Sequence, residues 1–474
     1  MIRGRARLLR PNLPRNLLFL WACLSSAYAL GAPDKPETAA LRDYNVVIVD
    51  FDTLRADRLG ALGNKRPLTP NLDALAARSY LFTAAVAQAP WTLPSTMSFF
   101  TSLYPHQHTV VNALAESTEQ RKKGARLPSG ITTMAQAFRG NGYDTAGFTG
   151  DAGVEAHFGF DEGFDLYFDS VAFGGFDTTF PMALDWLKSR QDRKFFLFIH
   201  GYDVHGEFQV PADFKSRFAD PGYHGPFTGA ISELWDLRKK NYLGDPIHLS
   251  TGDARFWMDR YDEKTLRADE RFGRFWKEFS SLPAAKRTLL VVVSDHGEQF
   301  GEHGGLEHGM NLYDEVLRVL LIIHPPKGAG ARIGGQVRLI DVLPTLTDWL
   351  GLQAAPQTRR QMQGTSLLPL MRGRPLPLDA FSETTFLYKT KKCSLRTSDG
   401  WKLVYDLDSL SPELYDLRRD PGEKRNVAVA EAGRVETLTR RLLKWSTSSA
   451  SDSYSLQPSS AADQPNASRP ILRP

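Results

Sequence analysis

The chain has 474 residues, 42% of them hydrophobic and 24% charged, which excludes a disordered or fibrous protein and suits one large domain with a smaller one beside it. Its formal net charge of +4 is small for that length, and part of it comes from Arg3, Arg5, Arg7, Arg10 and Arg15, so no nucleic-acid surface is implied. Its two cysteines, Cys23 and Cys393, exclude a disulfide framework.

The first element is an address. MIRGRARLLRPNLPR is basic, NLLFLWACLSSAYAL is apolar, and Ala27-Tyr28-Ala29 offers small residues for cleavage, so residues 1–32 read as a secretory signal peptide. The apolar stretch is short for a membrane span, and no stable span is expected after cleavage. The expected location is periplasmic or extracellular. Cys23 after Leu20-Trp21-Ala22 loosely resembles a lipoprotein signal, which keeps a lipid anchor as the lesser alternative.

Val46-Val47-Ile48-Val49 is a β-branched run ending in Asp50-Phe51-Asp52, the pattern of a buried strand feeding a polar loop. Helical spacing follows in Pro70–Tyr80. In Trp91-Thr92-Leu93-Pro94, Pro94 suits the first turn of a helix, which puts Thr92 at or just before its N-terminus. A hydroxyl there faces unpaired backbone N–H groups and suits an anionic substrate; the alternative is an ordinary helix cap. His106 and His108, in "YPHQHTV", are read as fixing a loop.

Helical patterns recur at Thr132–Phe138 and Met182–Leu187, and Phe195–Ile199 followed by His200 repeats the strand-then-polar arrangement. His205 follows in a Gly-rich loop. Phe218–Arg255 reads as loops rich in Gly, Tyr, His and Trp that suit a sugar or aryl group. Thr288–Val293 ends in Ser294-Asp295-His296, and Val319–Ile323 is a fourth run. Strands alternating with helices predict an α/β fold, with a large, mostly parallel, doubly wound sheet and helices on both faces. Ligands then bind beyond the carboxyl ends of the strands. Asp52, Asp295 and His296 at such ends offer carboxylate and imidazole donors for a divalent cation. His205 and His308 are candidates to bind an anionic group or protonate a leaving alkoxide. Glu298, Glu302 and His303 are expected to support the site or face solvent.

After about Leu370 the pattern alternates, in Trp401–Tyr405 and Glu413–Leu417, as in a small antiparallel sheet. Arg434–Trp445 reads as an amphipathic helix with Leu438, Leu442 and Leu443 on one face. The Ser/Pro/Ala-rich end from Ser446 reads as disordered.

These blocks, in order from Asn45 to Ala430, resemble the sulfatase family of the alkaline-phosphatase superfamily. The resemblance rests on "VVIVDFDTLRADRLG", "TPNLDALAARSYLFTAAVAQAPWTLPSTMSFFTSLYPHQHTV", "FFLFIHGYDVHGEF", "VVVSDHGEQFGEHG…HGMNLYDEVLRVLLIIHPP", "VRLIDVLPTLTDWLGL", "GTSLLPLM" and "ELYDLRRDPGEKRNVA". It implies an alkaline-phosphatase-like catalytic domain over 40–370, a C-terminal subdomain over 371–446 and a tail over 447–474. It also implies one divalent metal ion, usually Ca2+ (Mn2+, Mg2+ or Zn2+ being alternatives). Asp52, Asp295 and His296 fall on metal-ligand positions, Thr92 on the nucleophile position, and His205 and His308 on positions contacting the ester's anionic group.

Four departures stand out. Thr92 replaces the usual cysteine that matures to formylglycine, Thr96 replaces the following arginine, Asp52 stands without its usual acidic neighbour unless Asp50 substitutes, and "GYDTAGFTG" lacks the family's Lys and His. A threonine ester has no second hydroxyl from which to eliminate sulfate, so water or an acceptor must attack sulfur or phosphorus directly. The expected activity is a metal-dependent sulfuric or phosphoric ester hydrolase acting on a small anionic ester, a sugar or aryl alcohol being one expectation for its other half. A phosphoryl or phosphonate-ester transferase or hydrolase, with Asp203 joining His205 and His308 at a second metal, is one alternative. A non-catalytic exported binding protein is the other.

Overall fold

The computed structural model describes residues 43–111, 126–190, 192–206, 208, 217–243, 247–386 and 389–448; the expected signal segment 1–32 and the tail from 449 lie outside them. An eight-stranded sheet forms the centre, in the spatial order 332–333, 80–82, 321–324, 288–293, 45–51, 195–201, 144–148 and 166–168. Only the strand Leu321–His324 runs against its neighbours. The sheet is therefore mostly parallel, as the alternation predicts.

The central strands are buried on both faces because their residues alternate between two apolar layers. Val46, Ile48, Phe196, Phe198, Val291 and Val293 enter one core; Val47, Val49, Phe51, Leu197, Ile199 and Val292 enter the other. The helix Thr92–Thr101 lies in the first layer, every residue buried, with Phe100 edge-on to Phe198 at 4.8 Å. Helices Pro70–Ala76, Phe176–Lys188 and Thr251–Ser281 cover the second face.

Register places the site. Asp50 pairs with His200 on one side and with Val293 on the other, so the ends of three adjacent parallel strands open at one level. The residues just beyond them, Asp52 and Asp295, are thereby brought together with His200.

Two expectations need correction. The run Val319–Ile323 is not one strand: Arg318–Val319 pairs with Ala85–Val86 in a separate three-stranded sheet, and Leu321–His324 joins the large sheet. Leu320 marks the break, bonding Ser294 through both its N–H and its carbonyl. Phe218–Arg255 is not all loop either, since it holds the helix Ile231–Leu243 and the start of Thr251–Ser281. That long helix begins at a capping box, with Ser250 Oγ accepting from the Asp253 N–H and the Asp253 carboxylate accepting from the Ser250 N–H.

At the C-terminal end, strands Ala380–Thr384, Lys392–Arg396, Trp401–Asp406 and Ser411–Asp416 form an antiparallel sheet. The helix Ala432–Ser448 covers it with Leu438, Leu442 and Trp445, whereas Leu443, expected on the same face, is 41% exposed.

Candidate active site

Thr92 is the first residue of its helix, and Pro94 occupies the third position, where no N–H partner is needed. The Thr92 hydroxyl donates to Asp52 Oδ2 at 3.0 Å and lies 3.3 Å from His296 Nε2. Gly153, at φ 127°, packs against it: a Cβ there would lie 3.3 Å from Thr92 Cβ and 3.5 Å from the Tyr202 hydroxyl. Only glycine fits so close an approach at that φ.

Asp295 is held by its surroundings. The N–H groups of Thr53 and His296 donate to its Oδ1 at 3.2 and 2.8 Å, and Ser95 Oγ donates to its carbonyl at 2.6 Å. Among the described residues its Oδ2 has no hydrogen-bond partner, and neither do Asp50 Oδ1, Asp52 Oδ1 or the two ring nitrogens of His200, all of them buried. Unpartnered buried polar atoms are costly, so a cluster of them at one place calls for a ligand. Donor atoms of Asp52, His200 and Asp295 all lie within 4.8 Å of one another. A divalent cation fits this set, because it satisfies the orphaned oxygens and the imidazole together.

Electrostatics supports the fit. Burial pushes the Asp50 and Asp52 carboxyls well above the usual range, with Asp295 adding to the effect on Asp50. Burial also raises Asp295 to about 6. It lowers His200 and His296 to about 4, so both rings are neutral and fit to ligate. His296 Nδ1 lies 2.9 Å from the Gly297 carbonyl and carries the proton there, which leaves Nε2 as a lone pair toward Thr92 and, at 3.4 Å, Asp295 Oδ2.

The remaining histidines extend from this centre. His308 lies 4.6 Å from His296 and 5.2 Å from His205, ring centre to ring centre. Burial lowers His308 to about 4 and, with the neighbouring His308, takes His205 well below its usual value. Glu298 Oε1 is 3.1 Å from His308 Nδ1, and burial pushes that carboxyl up to about 8. Two long helices contribute cations. Lys264 Nζ donates to the His205 carbonyl at 2.5 Å, and Arg238 grips Glu307, next to His308, at 2.5 and 2.6 Å.

All six expected site residues thus gather at one place. His200, whose strand-end position was visible in the sequence, joins the ligand group through its register opposite Asp50. Three expectations are corrected or closed. Glu298, Glu302 and His303 are none of them left to solvent: Glu298 is fully buried, Glu302 bonds Arg55, and His303 bonds Glu315. Asp203 is committed to Arg271 at 2.8 Å and to the Phe176 N–H at 2.6 Å, which leaves little for a second metal with His205 and His308. His106 and His108 do fix a loop, through Glu383 and Ser98.

The chain matches the sulfatase family over residues 44–352 and the C-terminal region of N-sulphoglucosamine sulphohydrolase over residues 301–447. It is 24% identical over 428 residues to a Delta 4,5-hexuronate-2-O-sulfatase of Bacteroides thetaiotaomicron, covering 81% of this chain and 84% of that protein. It is 25% identical over 511 residues to the multifunctional alkaline phosphatase superfamily protein PehA of Trinickia caryophylli, covering 86% and 96%. The crystal structure of the phosphonate monoester hydrolase of Agrobacterium radiobacter shares the fold, with a TM-score of 0.66 at 22% identity over 86% of this chain and 96% of that one.

Proposed function

The chain belongs to the sulfatase family, and we propose that it hydrolyses a sulfate ester, or a related phosphate ester, by direct attack of Thr92 on the sulfur or phosphorus. The observation that carries this is the Thr92 hydroxyl itself, which sits at a helix N-terminus with Asp52 Oδ2 at 3.0 Å and the His296 Nε2 lone pair at 3.3 Å.

Asp52 and His296 are the groups placed to take the hydroxyl proton as Thr92 Oγ1 forms its bond to the substrate. The bond to the alcohol oxygen breaks, and the oxygen leaves as a neutral alcohol on a proton passed by the ring of His308, whose Nδ1 lies 3.1 Å from the Glu298 carboxyl that burial keeps protonated up to about 8, with His205 beside it. Water then displaces Thr92 from the threonine ester and releases sulfate or phosphate. The helix N-terminus favours the anion throughout.

Asp52, Asp295 and His200 would hold a divalent cation, which when bound supplies Lewis-acid polarisation of the ester's anionic oxygens, and His296, expected as a ligand, keeps its Nε2 lone pair for the Thr92 proton. Two carboxylates with an imidazole are a softer set than the all-oxygen cage calcium takes, so manganese or zinc suits them better than the calcium expected from the resemblance. The basic-then-apolar pattern of residues 1–32 supports export from the cytoplasm as part of this proposal, and among the described residues no helix is long and apolar enough to cross a membrane.

The test is parallel turnover of aryl sulfate, aryl phosphate, phosphodiester and phosphonate esters with added metals. Thr92→Ala should lose at least about 1000-fold in kcat while native mass spectrometry shows its cation retained. Asp295→Ala should lose the cation as well. Full activity in the Thr92 variant overturns the nucleophile assignment.

A further inference from the structure

Phe173 bears on the alcohol half of the ester. Its side chain is 47% exposed and its backbone sits at φ 54°, in the left-handed region. That conformation is strained for a bulky residue, and here the strain holds an aromatic ring out of the core. Val171, two residues before it, is 40% exposed.

The exposed ring stands beside His205, at the outer edge of the site. It meets Tyr202 edge-on, with centroids 5.3 Å apart, and lies 5.4 Å from the His205 ring at an interplanar angle of 35°. Tyr202 in turn bonds the Ala152 carbonyl at 2.5 Å, beside the glycine that packs on Thr92. His205 is followed inward by His308, His296 and Thr92. Phe173 is therefore the outermost ring of a row that begins at the nucleophile. Its loop is tied down by Gly174, whose N–H bonds the Gly150 carbonyl at 3.1 Å and whose carbonyl accepts from the Tyr202 N–H at 3.2 Å. The ring is preset before any ligand arrives.

We propose that Phe173 is a specificity-determining residue whose exposed face stacks on a ring in the alcohol half of the ester. This rests on the ester-hydrolase reading, since it takes His205 to face the leaving group. An ester oxygen bonded to a ring carries that ring outward past His205, where Phe173 is the apolar surface waiting. Aromatic pairs of this kind contribute enough to shift affinity by about threefold to tenfold.

The experiment uses the full chain loaded with its cation and three anions that cannot be hydrolysed: benzenesulfonate, cyclohexanesulfonate and methanesulfonate. Isothermal titration should show a ring-bearing anion binding about threefold to tenfold tighter than methanesulfonate. Phe173→Ala should remove most of that ratio and Phe173→Tyr should keep it. Preference for benzenesulfonate alone supports a flat aryl partner; preference for both rings supports a puckered ring such as a sugar. Equal affinity for all three in the wild type, or an unchanged ratio in Phe173→Ala, overturns the proposal. Ring preference without turnover of any ester would sink the hydrolase reading and leave this subsite standing, and turnover without ring preference would do the reverse.

Discussion

His303 shows what holds the charge that follows the strand Thr288–Val293. Its ring stacks on Tyr313 with centroids 3.7 Å apart, Nδ1 lies 2.6 Å from Glu315 Oε1, and Nε2 lies 2.9 Å from the Glu423 carbonyl. Both nitrogens face acceptors, which only the doubly protonated ring satisfies. Burial opposes that charge, but Glu315 and the carbonyl outweigh it and hold the His303 pKa above its usual value. A raised folded-state pKa gives stability that is fully present below the unfolded value of about 6.5 and is lost as pH rises through the folded value. His303→Gln should therefore lower the urea midpoint more at about pH 6 than at about pH 9. An equal loss at both would show that the ring acts by packing alone. At this scale, Asp52, Thr92, Asp295 and His296 are legible in the sequence because each adjoins a pattern, a strand end or a proline-marked helix start. His200 adjoins one too, but its role depends on a register that pairs it with Asp50, 150 positions earlier in the chain. Phe173 has no such signal, because its exposure and backbone are set by a loop tied to two other segments.

The strands are legible for the same reason. Thr288–Val293 is bounded as its β-branched run suggests, whereas Asn45–Phe51 extends the run Val46–Val49 by three residues and Phe195–Gly201 extends Phe195–Ile199 by two. Thr251–Ser281 hides behind its composition. Its buried face carries Asp259, Asp262, Glu263 and Asp269 among Trp257, Tyr261, Phe272 and Phe275, so no clean apolar stripe appears. Those carboxylates are buried because the rest of the chain meets them: Arg66 bonds Asp259 and Asp262 at 2.6 and 2.7 Å, and the Asn71 and Leu72 N–H groups bond Asp269 at 2.9 and 2.8 Å. Asp269 so placed also accepts the unpaired N–H groups of the helix that starts at Pro70, much as a capping residue does. A tertiary partner, absent from any local window, makes the polar helix face stable. Leu443 is the converse case, an apolar residue that helical spacing assigns to the buried face but that the adjacent sheet leaves uncovered.

For the molecule as a whole, the question is whether the C-terminal sheet is an appendage or part of the catalytic body. Lys402, on the strand Trp401–Asp406, is fully buried, with Nζ 2.8 Å from Asp314 Oδ1 and 2.7 Å from Glu423 Oε1. Asp314 opens the short helix that follows the His308 segment, so a cation from the sheet neutralises an acid in the sequence block that carries the site. Burial alone favours a neutral amine, but Asp314 and Glu423 hold the Lys402 pKa above its usual value. The same ammonium helps hold Asp314 well below the usual carboxylate range against its burial. Replacing Lys402 by Met preserves the apolar stem, takes the ammonium from the buried Glu423 and leaves Asp314 to the longer pair with Arg396 at 3.5 Å, a loss on the order of 3–5 kcal/mol. The described residues from Asp43 onward belong to one compact unit, so that loss should fall on the whole of it. In Lys402→Met, the urea transitions read by tryptophan fluorescence and by ester turnover should move down together. A variant whose turnover midpoint stays at the wild-type value while part of the fluorescence change moves down would show that the C-terminal sheet unfolds by itself.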